Sequence, residues 1–329
     1  MARRVLLAGR WEDTGPGAAG RALQQVGQGM LESRPGTRVD TLPFGAGEAF
    51  REALEEGGSH DLVPVVVGVW EETTRRAGCE VLAALEAGRT PVVEGGHNID
   101  VDAGLGMLEV LSGMTLPRSA ALDRVAPEAL EAARRMIAGR DILVAASTLR
   151  PLLGLASVMA TGIDLAPRAV QDRELTAALA RFFAHVPAPR RTLPVAGSAS
   201  WSDPSRLPGS GAAGGAGAVL AALGARVVPT GDLLREVTGL DARSAECELV
   251  VVVEPLLHSP QLADALVDTL TAAAAVHALP VVAVGRETSL SAHEAAQWGL
   301  HGVITTGTQP GDLRLAGSRV ARTWVAPHT

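Results

Sequence analysis

The chain of 329 residues contains no lysine: all 29 of its Lys and Arg residues are arginine. Any mechanism that needs a lysine ammonium is therefore excluded. Tyrosine is absent too, and aromatic residues make up 3% of the chain, five Trp and four Phe. High Ala, Gly and Arg without Lys reads first as codon bias. Cysteine is scarce. Cys79 and Cys247 stand far apart and neither sits in a CxxC, which argues against a disulfide framework or a structural zinc site. Excess positive charge is missing as well: the formal net charge is −7. A general nucleic-acid binder would need a basic face, so that class is set aside. No apolar run approaches the ~20 residues of a membrane span. The run Val5–Ala8 is shorter than the roughly 7 residues of a signal-peptide core and reads as a first strand. A cytoplasmic protein with no membrane partner is expected.

What is present is a chain able to bury a core, with 47% hydrophobic and 20% charged residues. Short β-rich runs alternate with segments of helical period. Strands are expected at 5–8, 38–42, 62–67, 91–94, 142–145, 193–196, 225–228, 249–253, 281–284 and 302–304. Helices are expected at 17–32, 46–56, 73–87, 127–138, 174–185, 212–223, 260–278 and 291–298. The valine runs at 65–67 and 250–253 do not alternate, so both faces of those strands should be covered, as in a parallel sheet between helices. The fold class is α/β. The regular strand–helix pattern at both ends and its loss between them suggest two domains: residues 1–60 with 225–329, and an inserted 61–224. Val186–Arg191 and Gly197–Gly211 are loops long enough to be functional.

Four segments could carry chemistry. Pro208-Gly-Ser-Gly-Ala-Ala-Gly-Gly-Ala-Gly217 opens a helix. Clustered glycines let the backbone approach a ligand, and a helix end favours an anion. Gly209, Gly211 and Gly214 match GxGxxG, but a loop precedes them and no acidic partner follows on a strand, so the dinucleotide reading is weak. The glycines could equally serve close packing alone. Glu94-Gly-Gly-His-Asn-Ile-Asp-Val-Asp102 follows a strand. Its Glu94, His97, Asn98, Asp100 and Asp102 could hold Mg²⁺ or orient a hydroxyl substrate. The alternative is helix capping by Asp100 or Asp102. In Val250-Val-Val-Val-Glu254-Pro-Leu-Leu-His258 an acid ends a buried strand and a histidine follows four residues later, which fits a site and a plain strand exit equally. In Ala145-Ala-Ser147-Thr-Leu-Arg150-Pro, Arg150 could pair with a phosphate or carboxylate, or remain a solvated charge.

Taken in chain order, these segments resemble the type I glycerate kinase family. Gly209 through Gly217 and on to Leu223-Gly-Ala-Arg226 follows the family's PGAGAAGGLG…LGA. Asp232-Leu-Leu-Arg-Glu-Val-Thr-Gly-Leu240 and the strand ending in Glu254 fit the downstream order. Gly96 to Leu108 resembles GGSATNDGGAGML, with Asp102 at the family's Asp, and Ile142–Gly154 resembles VACDVxNPLLG. The departures fall on polar positions. Ala8-Gly-Arg-Trp-Glu-Asp-Thr-Gly replaces the strand end and DSFKG, with no Lys. Pro43-Phe-Gly-Ala-Gly-Glu-Ala keeps only Glu48 of ADGGEGT. Ser147 and Arg150 stand for the Asp and Asn of DVxNP, and His258 for the Asp of GEGxxDxQ.

The resemblance implies a discontinuous Rossmann-like parallel-sheet domain plus a second α/β domain, with a cleft between them. It implies ATP and Mg²⁺ as cofactors, a small hydroxy-acid and a nucleotide as ligands, and a homodimer as an assembly to test. It places catalysis at Asp102, Glu254, His258 and Arg150. Phosphate or substrate would lie at Gly209, Ser210, Gly211, Gly214, Gly215, Gly96, Asn98 and Ser147, and the metal at Asp102 and Glu254. Weak phosphoryl transfer is expected. The alternative is a non-catalytic descendant that binds an anionic metabolite or a protein partner.

Overall fold

The computed structural model describes residues 3–11, 15–68, 71–96, 102–160, 169–186, 203–258, 266–309 and 311–327. The strand expected at 193–196, both long loops up to residue 202, and His97 to Asp100 lie outside these residues. The chain divides into two compact units, Met1–Ser59 with Thr230–Thr329, and His60–Pro229.

The first unit begins with β1 (Arg4–Gly9), α1 (Ala18–Ser33), β2 (Arg38–Pro43) and α2 (Glu48–Glu56). The second unit runs β3 (Leu62–Val66), α3 (Arg75–Glu86), β4 (Thr90–Gly95), α4 (Leu105–Ser112), α5 (Leu122–Ile137), β5 (Leu143–Ala146), α6 (Ala169–Ala184), α7 (Ala216–Leu223) and β6 (Arg226–Pro229). The chain then returns to the first unit with α8 (Thr230–Val237), α9 (Leu240–Ala245), β7 (Leu249–Val253), β8 (Leu256–Leu257) and α10 (Val267–Val276). It finishes with β9 (Val281–Gly285), β10 (Glu287–Thr288), α11 (Ala292–Gln297), β11 (Gly302–Thr305) and α12 (Asp312–Trp324).

In the first unit five parallel strands stand in the order β11-β9-β7-β1-β2, and β8 and β10 form a small parallel pair. The register sets Val5 against Leu249 and Gly9 against Val253. The chain steps from β1 to β2 on one side and returns to β7 on the other. The gap between β1 and β7 is therefore the switch point of the sheet, the place where open α/β sheets take ligands beyond the carboxyl ends of their strands. β7 is at most 2% exposed at every residue, as its unbroken valine run requires.

The second unit carries four parallel strands in the order β3-β4-β5-β6. β6 pairs with β5, so the segment at 226–229 belongs to this sheet, although the sequence pattern placed it with the other domain. β3 lies at the sheet edge, and Val66 is only partly covered while Val65 is buried. An edge position leaves such a strand half open, which the valine run alone does not reveal. α5 starts at Leu122, ahead of the Pro127 expected to open it, because Leu122 and Ala126 are both fully buried and hold the first turn in place. Among the described residues no helix is long and apolar enough to cross a membrane.

α1 and α12 pack backbone on backbone. A Cβ at Gly29 would land on the Arg314 carbonyl, and one at Gly317 on the Val26 carbonyl. The Ser33 and Ser318 hydroxyls hydrogen-bond at 2.5 Å along the same seam. Gly29→Ala or Gly317→Ala must push the helices apart, and overpacking of this kind costs about 1–3 kcal/mol. The expected outcome in thermal unfolding is a Tm lowered by several degrees in each variant, with Gly96→Ala, whose Cβ would meet nothing, left near the parent value.

Candidate functional site

In the first unit Arg10 directly follows β1 and Glu254 directly follows β7, so the parallel register delivers both side chains to the switch point. Arg10 donates from Nε to Glu254 Oε2 at 2.8 Å and from Nη2 to Oε1 at 3.1 Å. The Glu254 side chain is 2% exposed and that of Arg10 is 25% exposed. A forked guanidinium–carboxylate pair fixes both planes. His258, beyond β8, faces Glu287 with Nε2 3.3 Å from Oε1, and the pair is ionic only when the imidazole is protonated.

In the second unit β4 and β5 end side by side. There the Ser147 hydroxyl donates to Oε1 of the fully buried Glu94. A carboxylate buried this deeply requires hydrogen-bond donors, and the neighbouring strand end supplies one.

Asp102 is a brace. Its Oδ2 accepts from the Thr73 hydroxyl at 2.7 Å and from the Gly106 N–H at 2.7 Å, while Oδ1 accepts from the Thr74 hydroxyl at 2.9 Å and the Thr74 N–H at 3.3 Å. One carboxylate thus joins the heads of α3 and α4. Arg118 Nη2 lies 3.6 Å away. Next to it, Glu109 is gripped by Arg118, Arg75 and the Leu116 N–H. Burial pushes the Glu109 carboxyl up, but the hydrogen bonds from Arg118 and the Leu116 N–H, the Arg118 charge and the Arg75 hydrogen bond outweigh it, and the group is held below the usual range.

The glycine-rich segment packs against the stretch that Asp102 braces. A Cβ on Gly215 would meet the Ala103 Cα at 2.7 Å, and one on Gly104 the Ala216 Cα at 2.8 Å. Both glycines also have positive φ, 88° and 79°. Side chains are barred here by contact and by conformation. The Gly209 N–H donates to the Leu149 carbonyl, Gly211 to Arg150, and Gly215 to Gly211 and Ala212. Gly214 sits in the left-handed region with φ 62°. Ser210 is fully buried, accepting from the Leu152 N–H and donating to the Ser205 carbonyl. With the N–H groups of Ser210, Ala212 and Gly217 also bonded to backbone carbonyls, six N–H groups of the expected anion cradle are committed to the chain itself. Arg150 likewise donates to the carbonyls of Ala156 and Ser157 and secures its own loop. Gly96 opens onto free space, and Asn98 is outside the described residues.

The residues expected to hold Mg²⁺ do not fit it. Mg²⁺ demands near-octahedral oxygen ligands. The oxygens of Asp102 are occupied by four internal donors, and those of Glu254 by the Arg10 fork. Among the described residues no group of three His, Cys, Asp or Glu side chains is placed to hold a metal ion.

A model of the Glycerate kinase family matches residues 24–325. The chain belongs to the glycerate kinase family. Uncharacterized proteins of Mycobacterium bovis and Mycobacterium tuberculosis are each 30% identical over 249 residues, 74% of this chain. The chain spans 58% of the length of these curated relatives. A crystal structure from Salmonella typhimurium LT2 bearing a glycerate kinase 2 designation superposes with a TM-score of 0.65 at 19% identity, covering 98% of this chain and 96% of that one. At that identity the likeness establishes the fold. The pairs that sequence reasoning passed over are Arg10 with Glu254 and Glu94 with Ser147. The available signal was positional: Glu94 ends an expected strand, Glu254 directly follows one, and Arg10 and Ser147 stand two residues beyond the expected strands at 5–8 and 142–145.

Two outcomes follow from this glycerate kinase scaffold. Asp102→Ala removes four hydrogen bonds to one carboxylate and leaves the Thr74 N–H without its acceptor. A loss of about 1–3 kcal/mol is expected, seen as a Tm lowered by several degrees with or without Mg²⁺. A Tm that Mg²⁺ raises in the parent and not in the variant would instead make Asp102 a metal ligand. For Glu109 the folded pKa lies below the unfolded value of about 4.3. Its stabilisation is therefore present above that pH and is lost as the pH falls through the folded value. Glu109→Gln should flatten the acid limb of a stability–pH curve measured by urea unfolding.

Proposed function

We propose that the protein is an ATP-dependent phosphotransferase that acts on the hydroxyl of glycerate or a similar small hydroxy-acid. The observation that carries this reading is the family match over residues 24–325. The Arg10–Glu254 pair at the switch point supports it. Phosphoryl transfer is mostly positioning and charge neutralisation, and a chain without lysine must supply its cation as a guanidinium. Held by Glu254, Arg10 is aimed before any ligand arrives. A guanidinium is suited to carboxylate and phosphate oxygens. Glu254 is then a positioning residue, since both of its oxygens are taken up by the fork. ATP would supply the phosphoryl group. No step is assigned to Mg²⁺ at Asp102 or Glu254.

A second reading, a non-catalytic descendant that binds an anionic metabolite, is favoured by one specific observation. Asp102, at the family's Asp, and Arg150, where the family has Asn, are engaged by the chain's own backbone and side chains. An assay of ATP consumption over a panel of hydroxy-acids, D-glycerate first, separates the two. We expect turnover below the usual kinase range of about 1–100 s⁻¹. Arg10→Lys keeps the charge and removes the fork, and kcat/KM should fall by about tenfold or more while the Tm stays close to the parent. An unchanged kcat/KM would remove Arg10 from the site. No turnover with any acid, while D-glycerate still raises the Tm, would establish the binding-only reading.

A further inference from the structure

We propose that a cavity of about 370 Å³ at the amino end of the first unit's sheet binds a small oxyanion, the phosphate or carboxylate group of a metabolite. The inference stands on the cavity and not on the phosphotransferase reading. Its wall holds Arg4 of β1, Arg38 and Asp40 of β2, and Arg243, Glu246 and Cys247 from α9 and its exit. The parallel register pairs Arg4 with Arg38. Val5 and Leu7 enter the core that α1 and α12 share. By alternation Arg4 and Arg38 therefore project together from the other face of the sheet, on strands about 4.8 Å apart. This is the opposite end of β1 from Arg10, about 20 Å away at the rise of a strand. The volume falls within the roughly 300–1,000 Å³ of small-molecule sites.

The charges of the wall do not cancel locally. Like charges held opposite one another on paired strands repel. Arg4 is answered by Glu246, to which it donates from Nη1. Arg243 is answered twice, by Glu56 at 2.7 Å and by Asp40 at 3.3 Å. Each of these carboxylates is thus engaged by an arginine other than Arg38. The Arg38 backbone N–H donates to the Arg3 carbonyl at 2.7 Å, but its guanidinium has no hydrogen-bond or ion-pair partner among the described residues. An isolated surface arginine needs none. One held in register with a second arginine, on a concave wall, leaves a charge that an anion between the two would neutralise. A guanidinium carries five N–H donors, and Arg4 spends only those of Nη1 on Glu246. Guanidinium groups match carboxylate and phosphate oxygens in pairs. The Cys247 thiol is a spectator. It donates to the Arg243 carbonyl at 3.1 Å, and burial, with the Asp40 charge, pushes it up to about 11. A bound anion would cover it.

The test follows alkylation of Cys247 in the full chain by neutral iodoacetamide at alkaline pH, resolved by peptide mass. The exposed Cys79, on α3 of the second unit, is the internal control. The probes are inorganic phosphate and succinate, each against sodium chloride at matched ionic strength. At least one of the two should slow Cys247 several-fold and leave Cys79 unchanged, and which one does so tells a phosphate site from a carboxylate site. Arg38→Gln removes a side chain without a partner, so its Tm should stay near the parent value. The anion concentration needed for protection should rise about tenfold in that variant, the loss expected for a charge-assisted contact. Calorimetric titration of the parent and of Arg38→Gln with the same salts gives the same comparison where Cys247 labels too slowly. No protection and no Arg38-dependent heat with either probe at millimolar concentration would overturn the proposal. Protection by chloride equal to that by the oxyanions would reduce the effect to screening and overturn it too. Binding that a folded Arg38→Gln leaves within twofold of the parent lies elsewhere on the molecule and has the same consequence.

Discussion

The parallel pairing of β1 with β7 is the contact on which the first unit depends. β1 sits between β2 and β7, so without β7 the sheet has neither its left half nor its switch point. The two strands are separated by the whole second unit. Bringing them together costs loop-closure entropy, but that cost grows only with the logarithm of loop length. What repays it is the burial of two strands whose residues from Val5 to Ala8 and from Leu249 to Val253 are at most 2% exposed. Ion pairs mark both ends of the junction: Arg3 with Glu248 and Arg4 with Glu246 at the amino end, Arg10 with Glu254 at the carboxyl end. The first two are exposed, and such pairs contribute about 0–1 kcal/mol each. The third is buried on its acidic side. Breaking it would strand a charge, whereas an apolar substitute for the whole pair would be tolerated. The pair lies at the carboxyl end of the sheet, the end at which open α/β sheets take ligands.

The second unit is contiguous in sequence and closes its own core, with α3 through α7 contributing apolar side chains around the four-stranded sheet. The Gly215–Ala103 and Gly104–Ala216 approaches show how tightly that core is drawn. Two backbone segments touch where any side chain would intervene, and Asp102 then fixes the orientation of one of them. A glycine cluster of this kind looks the same in sequence whether it serves a phosphate or a neighbouring backbone. Only the destination of the N–H groups tells the two apart.

This explains which parts were legible in the sequence. Strands such as β7 and β9 announce themselves because a fully buried parallel strand must be apolar at every position, and α1 because its apolar face recurs with helical period. α4 was hidden for the opposite reason: Leu105 to Leu108 are all buried, so no period separates an inner from an outer face. α8 and α9 were obscured by their brevity and by Gly239, which sits between them with φ 63°. At the site, what could be read was position along the chain, such as an acid after β7. What could not be read was pairing. Asp102 meets Thr73 and Thr74 across a separation of 29 and 28 residues, and Arg10 meets Glu254 across 244. Those partnerships exist only once the sheets have set their register, and no spacing rule within a motif anticipates them.

The absence of lysine then acquires a structural meaning. A lysine ammonium is a flexible point charge that can follow a moving phosphoryl group. A guanidinium is planar and works best when its plane is fixed. In this chain the arginines near strand and helix ends are fixed by carboxylates or carbonyls: Arg10 by Glu254, Arg75 and Arg118 by Glu109, Arg21 by the Pro16 carbonyl. Such cations are preorganised and need little rearrangement when charge develops, which is the condition for electrostatic stabilisation of a transition state. They are also less able to travel with the transferred group. A site built from them favours tight anion binding over fast transfer.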